Sequence, residues 1–491
     1  MNTRTILAIV VVLAVAQPAL AATTENDDSC EITVAPAATL LLPFFDVDFR
    51  TPEGEGETTV FTVTNVSPAP QIAHVTLWTD WTFPVLTFNL FLTGYDVQTI
   101  DLYDVIARGQ VAPGGPGTSS TIDAISPNAA LRGHVAYSGS EPGLNNSNPN
   151  ISEGSVVPGG SCSGTNLDGK IPAEMIDALQ WALTTGLYRS ACGTTRVGGT
   201  HSNARGFATV DVVTDCTPAL PNNPVYFSTQ ILFDNVLIGD YQRISNYRSI
   251  GNLAFGNPMV HIRAIPEGGP VGSVPPPDTT GLPYTFYDHY TPAHNRKMDR
   301  RVPLPSTFAA RVVDDDASIR TNYVIWREGV AVGAQTASCK GTWLNSGMPI
   351  AQSIRFDEHE NSTTTVPYMT CSPICSLSYP ASPSAFIVSA QHSSILPRKP
   401  STADDAGWMY LNLNNQAPGS RPSQNWVIVS MHAGEYSVDF DAAQLGNGCS
   451  AAAAAPAGEI GPAGGIFVCP PGIKCTTSAT QHPYSGTNAT P

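Results

Sequence analysis

The sequence predicts a mainly β protein, built of antiparallel β-sandwich domains with long polar loops and one short helical insertion. Three observations predict it. Apolar residues recur with period two in many short runs, the runs are rich in β-branched and aromatic residues, and clusters of Gly, Pro, Asn and Ser separate them. Antiparallel sheets with one packed face carry this alternation. Many short strands with irregular connections favour sandwiches.

The first element is not part of the fold. Arg4 supplies a positive start, Ile6 to Val15 is apolar, and Ala19-Leu20-Ala21 has the small residues of a cleavage site. Residues 1–21 therefore read as a secretory signal peptide. The apolar run is too short to span a bilayer comfortably, and no later segment is long and apolar enough, so no integral membrane segment is expected. Loss of Arg4 takes the formal charge from -16 to -17. A chain this acidic is not a general nucleic-acid binder, because phosphate recognition wants a basic patch. The expected location is outside the cell or on its surface.

Residues 22–264 are expected to form an N-terminal β-sandwich domain. Phe61 and Val63 share one face of a strand, and Val75 and Leu77 lie opposite Thr76 and Trp78 on another. Leu86, Phe88, Leu90 and Leu92 share a third face, and Val225, Phe227, Thr229, Ile231 and Phe233 a fourth. One segment breaks the period. In "DGKIPAEMIDALQWALTTG", Ile171, Met175, Leu179 and Leu183 recur every four residues, Pro172 suits a first helical turn and Gly186 a C-terminal stop. This is the helical insertion, bracketed by Cys162 and Cys192. Residues 265–283 are a Pro/Gly-rich linker. Residues 284–450 read as a C-terminal β-sandwich domain, with strands at "TNYVIWRE", "GWMYLNLNN", "QNWVIVSM" and "EYSVDFD". Residues 451–491 form an Ala/Gly/Pro-rich tail.

All ten cysteines follow the signal. An even number in an exported chain reads as up to five disulfides. Cys162 is expected to pair with Cys192 across the helical insertion, Cys469 with Cys475 across "CPPGIKC", and Cys339 with Cys371 or Cys375. The partners of Cys30, Cys216 and Cys449 stay open. No Cys-x-x-Cys pair of zinc-finger type occurs.

Several stretches, "LLPFFDVDF", "TVFTVTNVSPAPQIAHVTLWTDW", "FNLFLTGYDVQTIDLYDV", "LFDNVLIGDY" and "GWMYLNLNN", resemble an uncharacterised group of secreted bacterial β-rich proteins. The resemblance implies bacterial export and a β-rich fold. It brings no activity and no catalytic residue.

Candidate chemistry is sparse. There is no Gly-x-Ser-x-Gly elbow and no His-Glu-x-x-His helix. Trp78, Asp80 and Trp343 are candidates for a ligand face, since an exposed aromatic can stack on a sugar while an acid takes its hydroxyls. Packing accounts for the rest of the Trp78 to Ile106 stretch. Asp46, Asp48, Glu53, Glu55 and Glu57 crowd a Pro-Glu-Gly turn, and hard oxygen ligands on a flexible loop suit Ca²⁺; no other cofactor is expected. Asp288, His289, His294 and Asp299 offer metal-binding types without regular spacing. "DEHEN" (Asp357 to Asn361) reads as the polar end of the strand "SIRF". The expected function is a secreted structural or adhesive protein of the cell surface or extracellular matrix, without catalysis, touching protein or glycan surfaces or itself. The alternatives are a carbohydrate-binding or glycan-cleaving protein and a calcium-dependent binding module.

Overall fold

The computed structural model describes residues 32–110, 135–137, 171–265, 286–287 and 299–445, with breaks inside the longer ranges, the widest at 330–347 and 414–423. In the first half run β1 (Thr39–Val47), β2 (Thr58–Asn65), β3 (Gln71–Thr79), β4 (Pro84–Leu92), β5 (Val97–Asp101) and β6 (Val135–Tyr137). The helix α1 (Ala173–Thr185) follows, then β7 (Leu187–Ser190), β8 (Gly193–Arg196), β9 (Ala204–Val213), β10 (Leu237–Tyr247), β11 (Gly251–Pro258) and β12 (Val260–Ile262). The second half carries β13 (Thr307–Val313), β14 (Arg320–Arg327), β15 (Met348–Pro349), β16 (Gln352–Asp357), β17 (Ser362–Thr364), β18 (Tyr368–Cys371), β19 (Cys375–Ser378) and β20 (Ala381–Ser382). It ends with β21 (Ala385–Ser389), β22 (Ala406–Asn412), β23 (Asn425–Ala433), β24 (Tyr436–Asp441) and β25 (Ala443–Gln444).

Four antiparallel sheets hold most of these strands. The first, β12-β1-β9-β3-β4-β6, and the second, β11-β10-β2-β5, belong to the first half. The third, β17-β16-β22-β13-β25, and the fourth, β21-β14-β23-β24, belong to the second. β1 packs against β2 and β10 on one side and against β14 and β21 on the other, while β13 packs against β14 and β23. The layers therefore run second, first, fourth, third. Each half is a two-layer sandwich, and the halves meet face to face.

This stacking changes the reading of β3. Its alternation predicts one outward face, yet every residue from Gln71 to Thr79 is buried. The second half supplies the missing cover: Phe207 of β9 meets Trp326 of β14 edge to face, 5.8 Å between ring centroids. One apolar cluster runs from Leu40 and Leu77 through Phe207 and Trp326 to Met409 and Val429. β2 has a lighter cover and keeps strict alternation, with Phe61 and Val63 inward. The linker at 265–283 lies outside the described residues, apart from Ile265.

Two local features follow from chemistry legible in the chain. α1 stops at Gly186, whose φ of +67° is cheap only for glycine. Leu179 and Leu183 are buried, and the helix lies against the short π-helical turn Asp104–Arg108 and against β9. Gly206 in β9 is a close approach, since a Cβ there would stand 1.9 Å from the Trp78 carbonyl oxygen. Of the alternating residues at 225–233, Val225, Phe227 and Thr229 lie outside the described residues. The Ile231 N–H donates to the Tyr226 carbonyl, five residues back, and Ile231 makes only an isolated bridge to Val213. Ile231 and Phe233 are buried in the apolar cluster.

Candidate functional site

A polar convergence near the surface forms at one end of the first sheet. Antiparallel register sets Val47 of β1 beside Ala204 and Thr79 of β3 beside Gly206, so the end of β1, the end of β3 and the start of β9 adjoin. The segment 197–203 crosses this end. On one flank, Asp80 is nearly buried and receives the Gly199 N–H at 2.9 Å on Oδ1. His201 Nε2 lies 3.0 Å from Asp80 Oδ2. A Cβ on Gly199 would come within 2.7 Å of both the Asp80 carboxylate and the His201 ring, so the pair depends on glycine. The Thr79 hydroxyl donates to the Val197 carbonyl at 2.6 Å.

On the other flank, the Asn203 amide donates to Asp46 Oδ1 at 2.8 Å and to Glu57 Oε2 at 2.6 Å. Arg205 pairs with Asp46 Oδ2 at 2.8 Å, and the Ser245 hydroxyl donates to Glu57 Oε1 at 3.2 Å. Burial, and then the Asp46 charge, raise the Glu57 pKa above the ordinary glutamate range. The arrangement can hold a proton between two carboxylates and fix a loop. It carries no hydroxyl or thiol nucleophile bonded to the His201 ring among the described residues.

The sequence-predicted residues divide accordingly. Trp78 is 1 % exposed, stacks on Phe207 with centroids 5.7 Å apart, and donates its indole N–H to the Thr209 hydroxyl. It is core, because the second half covers the face that period two left open. Asp80 is taken up by Gly199 and His201. Trp343 lies outside the described residues. The five acids of the proposed calcium loop are dispersed rather than gathered. Asp46 and Glu57 turn to Asn203, Asp48 accepts the Arg50 and Thr51 N–H groups and the Thr51 hydroxyl, Glu53 bonds the Arg108 guanidinium, and Glu55 is exposed. Asp299 is fully buried in an ion pair with Arg301, N···O 3.1 Å, so it is no loop ligand. Asp288, His289 and His294 lie outside the described residues. So do Cys30, Cys162, Cys192, Cys216, Cys339, Cys449, Cys469 and Cys475. Cys371 and Cys375 are register partners in the β18–β19 hairpin.

Two groups escaped the sequence. The first is a polar row across the buried face of the first sheet: Thr39, Asp211, His74 and Asn89 are successive cross-strand partners on β1, β9, β3 and β4. Tyr226 and Tyr287 donate to Asp211 Oδ2 at 2.6 and 2.7 Å. Burial, reinforced by the Asp211 charge, holds both phenols far above the ordinary tyrosine range, so they stay donors. Arg301 from the second half joins Asp211, Asp299, the Thr39 hydroxyl and the Leu232 carbonyl. Burial opposes its charge, but Asp299 and Asp211 outweigh that and raise its pKa. The period-two pattern hints at the row only as polar residues in apolar company. The second group is Asp357, His359 and Asp404, whose ligand-type atoms lie within 4.8 Å of one another. "DEHEN" contains two of the three, and the third comes from a separate segment.

Comparison with family models, with curated proteins and with solved structures gives no match.

Proposed function

We propose that this chain is a secreted structural or adhesive protein of the cell surface or extracellular matrix, a rigid layered body whose loops make the contacts. The observation that carries the reading is the buried cross-link between the halves. Arg301, wholly buried, reaches Asp211 and Thr39 of the first sheet while paired with Asp299. Around it the two sandwiches share one apolar core. Where the second and fourth sheets adjoin, Arg243 of β10 pairs with Asp439 at 3.2 Å and the Ser437 hydroxyl donates to the Ala254 carbonyl. Such a body resists relative motion of its parts. That suits a protein that bears load or presents surfaces, and it is unlike the hinged clefts on which many enzymes close. The signal-like residues 1–21 and the resemblance to exported bacterial proteins support the location.

The test uses the mature chain. It is immobilised and presented with glycan and matrix-protein panels, and its self-association is followed by light scattering. Saturable retention or self-association without turnover supports the reading. Turnover of an ester, peptide or glycan substrate that Asp80→Asn or Glu57→Gln abolishes would overturn it. Expression in a bacterial host with the native N-terminus, followed by mass measurement of the exported chain, tests cleavage after Ala21.

A further inference from the structure

The geometry points to a surface site for a borderline divalent transition-metal ion, of the zinc class, formed by Asp357, His359 and Asp404. The site sits at one end of the third sheet. β16 ends at Asp357, the chain turns through residues 358–361, and β17 returns. Register places Asp357 beside Gly407 of β22, so the segment entering β22 passes the turn and delivers Asp404. His359 Nδ1 is 2.7 Å from Asp404 Oδ2.

Three features distinguish this group from an ordinary patch of acids. First, the donors are mixed: one imidazole nitrogen and two carboxylate oxygens, from two chain segments, within 4.8 Å of one another. Imidazole with carboxylate suits zinc and its neighbours, whereas Ca²⁺ wants six to eight oxygens. Second, the neighbouring charges are sorted. Glu358 is matched by Arg311, and Asp405 by Lys399. Among the described residues no lysine or arginine pairs with Asp357 or Asp404, and His359 is the only ion-pair partner of Asp404. A divalent ion would supply the charge that their neighbours already have. Third, one ligand is held in place. Asp357 Oδ1 receives the N–H groups of His359 and Asn361 at 2.9 and 2.8 Å, and Oδ2 receives the Asn361 amide at 2.9 Å. Outer hydrogen bonds of this kind orient metal ligands.

The ion would replace the hydrogen between Nδ1 and Oδ2. Ligands about 2.1 Å from a tetrahedral ion lie about 3.4 Å apart, so the pair opens by roughly 0.7 Å. The His359 side chain is 76 % exposed and free to make that movement. Three protein ligands leave a fourth position for water or for a donor from another surface.

The test is calorimetric titration of Zn²⁺ into the full mature chain, stripped with chelator and returned to metal-free buffer, with Ca²⁺ titrated in parallel. His359→Ala and Asp404→Asn are compared with the parent after circular dichroism establishes equal folding. The expected result is one Zn²⁺ equivalent that loses at least about tenfold in affinity in each variant, with no Ca²⁺ binding sensitive to either substitution. The proposal is overturned if the parent takes up no such equivalent, if either variant keeps it at full affinity, or if Ca²⁺ rather than Zn²⁺ occupies the site.

Discussion

Arg301 Nε and Asp211 Oδ1 stand 3.7 Å apart with neither side chain exposed to solvent, one contributed by each half of the chain. Removing one member of such a pair strands the other charge in the core, which costs about 3–5 kcal/mol. Arg301→Leu should therefore lower the unfolding free energy by about that amount in urea titrations. Asp299 and Asp211 would then both lack their cation. A loss below about 1 kcal/mol would mean that water reaches the pair and that the halves do not depend on it.

A pH dependence resides in His261. Its Nε2 accepts the Gly239 N–H at 3.1 Å and the ring is buried between β10 and β1. Burial lowers its pKa from 6.5 to about 4. The folded state thus keeps a neutral imidazole while the unfolded chain takes up a proton below about 6.5. The unfolded state binds more protons in that interval, so stability falls as pH drops from 6.5 towards 4, by about 3 kcal/mol at most from this group. Below about 4 both states are protonated and the loss is complete. His261→Gln should flatten this part of the stability profile relative to the parent. Parallel profiles in urea from pH 7 to 4 would show the expectation to be wrong.

Gly206 gives a steric prediction. A methyl there would meet the Trp78 carbonyl at 1.9 Å and the Phe45 ring at 2.9 Å. Backbone cannot yield as a side chain can, so Gly206→Ala should cost at least the upper end of the about 1–3 kcal/mol usual for overpacking. Thermal unfolding followed by tryptophan fluorescence reads it directly. An unchanged melting temperature would place β3 and β9 further apart than their register requires.

Much of the fold was legible because period two survives wherever one face is covered. Phe61 and Val63 of β2 behave as their alternation predicts, and Leu86, Phe88, Leu90 and Leu92 of β4 are all buried. The helix was legible from its four-residue apolar repeat and from Gly186. What escaped depends on the second half lying on the first. A strand covered on both faces still carries Thr76, His74 and Trp78 on the face that looked outward, and nothing local says that Trp326 will close over Phe207 beside them. The same is true of sites. Asp46, Glu57 and Asp80 were picked out by residue type, but their partners Asn203 and His201 come from a segment more than a hundred residues away. Arg301 read as one more basic residue, yet its role comes from the packing that brings it to Asp211.

The carboxylate pair at the end of the first sheet yields the last prediction. Glu57 is raised above the ordinary glutamate range by burial first and by Asp46 next, while Ser245 and Arg205 act to lower it. Between its unfolded value, about 4.3, and the raised folded value, the native state holds more protons than the unfolded one. Stability contributed by this group is therefore greatest below the unfolded value and declines as pH rises through the window. Glu57→Gln removes the charge while leaving an oxygen for the Asn203 amide to reach. The variant should gain stability on the parent as pH rises from about 4 to 7, and the gain should vanish below about 4. Asp46→Asn should act through Glu57, drawing its carboxyl titration down towards the ordinary range in carbon-detected NMR. If Glu57 titrates in the ordinary range in the parent, or if Asp46→Asn leaves it unmoved, the two acids do not share the Asn203 amide as this geometry has it, and the loop 197–203 is held by its other bonds, among them Asp80 to Gly199 and Thr79 to Val197.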